Sequence, residues 1–159
     1  MLKLNKEVGH PHTKRGDGCM EKVDQTYPTE KLGDYVQTAD WKKEKHIPVI
    51  DCPTKAKAGE LIEVKISVGK EIAHPNTTEH FIAWINLFFK PTGEKNVYNL
   101  GFFTFNAHGS STDGPNTSTV YTQHAVNAFF KTSKSGTLYA VSHCNIHGLW
   151  QSSKELTIQ

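Results

Sequence analysis

The sequence predicts an all-β fold, an immunoglobulin-like β-sandwich of about seven strands preceded by an irregular N-terminal extension. Three observations carry this. Short segments rich in β-branched and aromatic residues recur along the chain, clusters of Gly, Pro, Ser, Thr and Asn separate them, and no segment holds a long amphipathic helical period. The Cys-Trp-Cys signature of true immunoglobulin domains is missing, so the expectation concerns architecture and not that family.

Residues 1–39 form the expected extension. Up to Val36 they carry few apolar side chains and are broken by Gly9, Pro11, Gly16, Gly18, Pro28 and Gly33. From about Trp41 the texture changes, and residues 40–159 are expected to be one domain. Its first strand is read at Ile47 to Asp51. Leu61 to Val68 follows, with Ile62, Val64, Ile66 and Val68 alternating against Glu63, Lys65 and Ser67, the period of a half-buried strand. Further strands are expected at Glu79 to Lys90, Val97 to Ala107, Val120 to His124, Ala125 to Thr132, Thr137 to Cys144 and Lys154 to Ile158. Turn clusters such as Lys90-Pro91-Thr92-Gly93 and Ser133-Lys134-Ser135-Gly136 join them.

Composition narrows the function. In 159 residues, 18 Lys and Arg against 16 Asp and Glu leave a net charge of +2, which lacks the basic excess of a nucleic-acid binder. The longest apolar run, Phe81 to Phe89, contains Asn86 and is too short for a membrane-spanning helix. The first residues lack the apolar core of a secretory signal, so a cytoplasmic setting is expected. Cys19, Cys52 and Cys144 are three and widely spaced, which argues against a disulfide framework and leaves at least one thiol for chemistry.

Of the nine histidines, four fall in three strand-end groups. Glu44-Lys45-His46-Ile47-Pro48 opens the first strand, His74-Pro75-Asn76-Thr77-Thr78-Glu79-His80 precedes the longest apolar one, and Cys144-Asn145-Ile146-His147-Gly148 ends a late one. Loops on a rigid sandwich can converge, so four imidazoles and one thiolate could meet around a metal. The Cys-x2-His spacing lets both donors reach one ion, and Gly148 permits the tight turn. Five such donors are one too many for tetrahedral zinc, and Met1 and Met20 are poorly placed as the axial ligand of a blue-copper site, which makes iron the better candidate.

These motifs, with Ala107-His108-Gly109, Gly114-Pro115-Asn116-Thr117 and the continuation to Leu149-Trp150, closely resemble those of the single-iron, neelaredoxin-type superoxide reductases of the desulfoferrodoxin iron-binding domain family. The resemblance runs from about Asp40 to Ile158. It implies one iron per chain, with His46, His74, His80 and His147 in a plane, the Cys144 thiolate axial and the opposite position open. Glu44 would occupy that sixth position in the ferric state, and Lys45 would lie over it. The implied activity is one-electron reduction of superoxide to hydrogen peroxide as antioxidant defence, with rubredoxin as donor and a homotetramer as the assembly. Neutral imidazoles and one thiolate would leave the ferrous centre positive, Lys45 would help draw the anion, and the thiolate would push electron density towards it.

Other histidines are read as structural: His143 as facing the opposite side of its strand from Cys144, His108 and His124 as packing residues. Cys52 reads as an ordinary thiol, Glu79 as half of a surface ion pair, and the three tryptophans as core or site wall. Only Cys19 lies in the extension, which excludes the second, four-cysteine iron centre of two-iron relatives. The rival readings are a β-sandwich metalloprotein acting only as an electron carrier, a zinc domain whose metal clips loops together, and a dismutase.

Overall fold

Ile62, Val64, Ile66 and Val68 turn inward from one strand, and Ile82, Ile85, Leu87 and Phe89 meet them from another; all eight are buried. The computed structural model of the chain describes residues 29–159. His10, His12, Cys19 and the rest of the extension up to residue 28 lie outside the described residues. In chain order the strands are β1 (Pro48–Asp51), β2 (Lys55–Ala56), β3 (Ile62–Val68), β4 (Ile82–Pro91), β5 (Tyr98–Thr104), β6 (Ala125–Phe130), β7 (Gly136–Cys144) and β8 (Gly148–Ile158). A short 3-10 turn, Leu32–Tyr35, precedes them.

The strands form the two sheets of a β-sandwich. One is β1-β3-β6, antiparallel throughout; the other is β2-β8-β7-β4-β5, in which only the β2–β8 pair is parallel. Alternation decides which side chains enter the core between them. In β7, Leu138, Ala140, Ser142 and Cys144 face inward and are fully buried. The inward period of β4 would fail after Ile82, but a register shift between Ile82 and Trp84 restores it, and Ile85 is buried. Among the described residues no helix is long and apolar enough to cross a membrane.

Three strand expectations need correction. Val120 to His124 is not a strand: Tyr121 makes an isolated bridge to His108, and Thr122 spends its backbone N–H and its hydroxyl on the carbonyl of Ala107. β8 starts at Gly148, six residues earlier than Lys154, because it pairs with β7 as a hairpin from Cys144↔Gly148 onward. That pairing overrides the polar run Gln151-Ser152-Ser153. β4 starts at Ile82 and not at Glu79, since residues 79–81 are engaged by the side chain of Asn145. The two-residue β2 carried no sequence signal.

Candidate metal centre

The β7–β8 hairpin places the first donors. Cys144 closes β7 on the inward face, and three residues later His147 turns back towards it, with Gly148 in the left-handed region at φ 74° completing the turn. The sulfur of Cys144 lies 3.5 Å from Nδ1 of His147.

His46 arrives from the turn before β1. Asp40 caps that turn, its carboxylate accepting from the amide of Lys42 at 3.0 Å and its carbonyl from Lys43 and Glu44. The buried hydroxyl of Ser142 donates to the carbonyl of His46 at 3.0 Å, which ties this segment to β7 two residues from Cys144. His74 follows a turn at Gly69 (φ 79°), where a Cβ would stand 2.6 Å from the amide nitrogen of His74, so only glycine lets the loop approach so closely. His80 ends the same loop, with its amide donating to Thr77 Oγ1 and its carbonyl accepting from the Thr77 amide.

Four imidazoles form a closed ring in the order His46, His74, His80, His147. Adjacent centroids are 4.8, 4.7, 4.9 and 4.6 Å apart, and His46 and His80 face each other across 6.1 Å. One donor atom from each of His46, His74, His80 and Cys144 lies within 4.8 Å of every other, and Nδ1 of His147 lies 3.0 Å from Nε2 of His46. The five residues singled out from the sequence are thus brought together.

The nitrogens facing the centre are identified by what the outer ones do. His46 turns Nδ1 to Glu44 Oε1 at 2.6 Å and His74 turns Nδ1 to the carbonyl of Pro75 at 2.7 Å, so in the neutral rings Nε2 is the nitrogen that carries the lone pair. Nε2 of His74 and of His80 are buried with no hydrogen-bond partner among the described residues. A buried polar atom left unpaired costs about 1–3 kcal/mol, and two of them in one cluster of donor atoms fit a metal ion. Burial is the main cause holding His46, His74 and His80 below the usual imidazole range, His74 at about 3, with the neighbouring histidines adding to it. Neutral imidazoles are what a metal needs.

Glu44 and Lys45 border the ring. Burial opposes ionisation of Glu44, but the bonds it receives from the ring and amide of His46 keep its carboxyl below the ordinary range. The positive charge of Lys45 lowers the affinity of both His46 and His80 for a proton. Trp150 and His124 wall the ring: Trp150 stacks on His46, and His124 stands edge-on to His74 with centroids 5.7 Å apart. His143 lies on the other face of β7, stacked on Trp84, and His108 bridges Asn76 Oδ1 and the carbonyl of Phe105.

The ion pair expected for Glu79 is absent among the described residues. Its carboxylate instead accepts from Asn116 Nδ2 and Thr78 Oγ1. Sequence reading also missed the residues that fasten the donor loops. Asn145 bonds to Glu79 and Phe81, and Gln37 donates its side-chain amide to the carbonyl of His147 at 2.9 Å while its backbone pairs with Leu149 and Gln151. Contacts from side chain to distant backbone carry no periodic signal.

The Desulfoferrodoxin family model matches residues 38–153. A neelaredoxin of Megalodesulfovibrio gigas is 52% identical over 129 residues, covering 81% of this chain and 99% of the relative. A superoxide reductase of Pyrococcus furiosus is 52% identical over 128 residues, covering 80% and 99%. Among solved structures, the reduced superoxide reductase (neelaredoxin) of Archaeoglobus fulgidus superposes with a TM-score of 0.73 at 58% identity, covering 77% of this chain and 98% of that one.

Proposed function

The chain belongs to the desulfoferrodoxin family, and from that premise we propose that it is a superoxide reductase, using one iron per chain held by His46, His74, His80, His147 and Cys144. Superoxide takes one electron and two protons and leaves as hydrogen peroxide. The observation that carries the reading is the closed ring of four imidazoles with the Cys144 sulfur against it.

Bound in this cluster, iron supplies the one-electron couple that the reaction requires. The chain does the rest. Neutral imidazoles hold the ion without cancelling its charge, so the site attracts an anion. Cys144 adds a single thiolate whose electron donation favours giving up an electron. Lys45 contributes a cation beside the ring, which would draw superoxide in and offset the negative charge it carries. Glu44 orients His46 through Nδ1, and to serve as a sixth ligand in the oxidised state its carboxylate would have to give up that bond.

The proposal extends to a rubredoxin as electron donor, a homotetrameric assembly and a cytoplasmic setting. It treats residues 40–159 as the iron-binding domain and 1–39 as an extension to it. Two measurements test the core of it. With a superoxide source and a reducing partner, one hydrogen peroxide should form for each superoxide and each donor electron consumed; oxygen evolution without donor consumption would indicate dismutation instead. Cys144→Ser should abolish the visible thiolate-to-iron absorption of the oxidised protein, and an unchanged spectrum would overturn the ligand set.

A further inference from the structure

Two separate stretches of chain supply His80 on one side and the Cys144–His147 pair on the other, and something must fix their spacing. The β4–β7 ladder ends at Ile82↔Cys144. One step further the amide of Asn145 still donates to the carbonyl of Phe81 at 3.1 Å, but the chain then turns away towards His147 and its backbone is lost to the ladder. The side chain of Asn145 takes over. Its Oδ1 accepts from the amide of Phe81 at 2.8 Å, and its Nδ2 donates to the carbonyl of Glu79 at 2.8 Å.

A carboxamide carries the same donor and acceptor as a peptide group. The two bonds fall on the residues either side of His80, so Asn145 brackets that ligand as the backbone of a neighbouring strand would. The other bonds on this loop do something different. Those from Thr77 close it on itself, and those from Asn116 and His108 join it to a segment with no ligand in the cluster. Beyond the last rung of the ladder, Asn145 alone among the described residues joins the His80 stretch to the turn bearing Cys144 and His147 by hydrogen bonds.

We propose that Asn145 is a positioning residue, which sets the distance from the His80 imidazole to the Cys144 sulfur and the His147 ring and thereby the metal affinity of the whole cluster. The inference rests on the reading of that cluster as a metal centre. Chemistry selects the residue: aspartate would set an acceptor against the Glu79 carbonyl, and alanine would leave both backbone groups to water. Asn145 is exposed, so water can replace its bonds and the fold survives while the spacing relaxes.

The test is titration of the metal-free full-length protein with cobalt(II), read by thiolate-to-cobalt absorption, for wild type, Asn145→Ala, Asn145→Asp and Asn116→Ala, with thermal unfolding of each metal-free form. Both Asn145 variants should bind cobalt about 10–100-fold more weakly and with a displaced absorption band, Asn145→Asp the more strongly affected. Asn116→Ala, which loosens the same loop from the side without ligands, should keep the wild-type band. Wild-type affinity and band position in both Asn145 variants would overturn the inference, as would a lowered unfolding temperature with an unmoved band. Failure of wild type itself to give a thiolate-to-cobalt band would overturn the metal-centre reading, and this inference with it.

Discussion

Trp150 lies flat on the ring of His46, with centroids 4.8 Å apart and planes 14° from parallel, while its indole Nε1–H donates to the carbonyl of His147 at 3.1 Å. One buried side chain thus touches two members of the imidazole ring. Trp150→Ala should destabilise the metal-free protein by about 3–5 kcal/mol through the cavity it leaves. Trp150→Phe keeps an aromatic face on His46 but loses the bond to His147, about 0.5–1.5 kcal/mol, and part of the indole volume, so a loss smaller than that of the alanine variant is expected. Denaturant unfolding of the two variants separates the contributions; equal losses would mean that stacking is not the larger one.

Acid should unfold the metal-free protein early. Burial holds His74 at about 3, against an ordinary value of 6.5, so between these limits the unfolded chain binds a proton that the folded chain refuses. The stabilisation is complete above pH 6.5 and is lost as the pH falls towards 3. His46, His80 and His124 are shifted in the same direction, mainly by burial, and steepen the loss. The urea midpoint should therefore decline from pH 7 to pH 5, and His74→Asn should reduce the slope. A midpoint independent of pH over that range would contradict the burial seen for these rings.

Glu79 reports on the opposite side of the donor loop. Bonds from Asn116 and Thr78 hold its carboxyl down at about 2. Its contribution to stability is present above pH 4.5 and disappears as the pH falls towards 2, a lower window than that of the histidines. Asn116 sits in the left-handed region at φ 59°, where a side chain costs roughly 1 kcal/mol. Asn116→Gly and Asn116→Ala should both raise the Glu79 pKa by NMR titration, but only the alanine variant should retain the backbone strain and be the less stable. Equal stability of the two would mean that the loop relaxes away from this conformation.

What the sequence made legible was local or periodic. The alternation of Ile62 to Val68 announced β3, and Cys144 and His147 could be paired because one hairpin turn holds both. Four histidines could be grouped because each lies at a strand end. The failures share a cause, which is pairing or bonding decided by a distant partner. Gln151-Ser152-Ser153 lack a strand pattern yet join β8 because β7 lies alongside, and Val120 to His124 has strand-like composition yet bonds across to Ala107 and His108. The Trp150–His46 stack and the Asn145 bracket are contacts over long sequence separations, for which neither period nor spacing gives a sign.

Lys45 offers a test of the proposed reaction that does not depend on the ligand spectrum. It is half-buried beside the ring, and its charge is felt at both His46 and His80, on opposite corners. A fixed cation there raises the local concentration of a small anion, an effect that falls with ionic strength because the Debye length shrinks from about 30 Å at 0.01 M to about 10 Å at 0.1 M. In the iron-loaded protein Lys45→Ala should slow the second-order reaction with superoxide by about 10-fold at low salt and flatten its dependence on ionic strength. Lys45→Arg, which preserves the charge, should keep most of both. Rapid-mixing rates at low and high salt decide the matter: an alanine variant as fast and as salt-sensitive as wild type would show that superoxide is drawn by the charge of the centre itself, without help from this side chain.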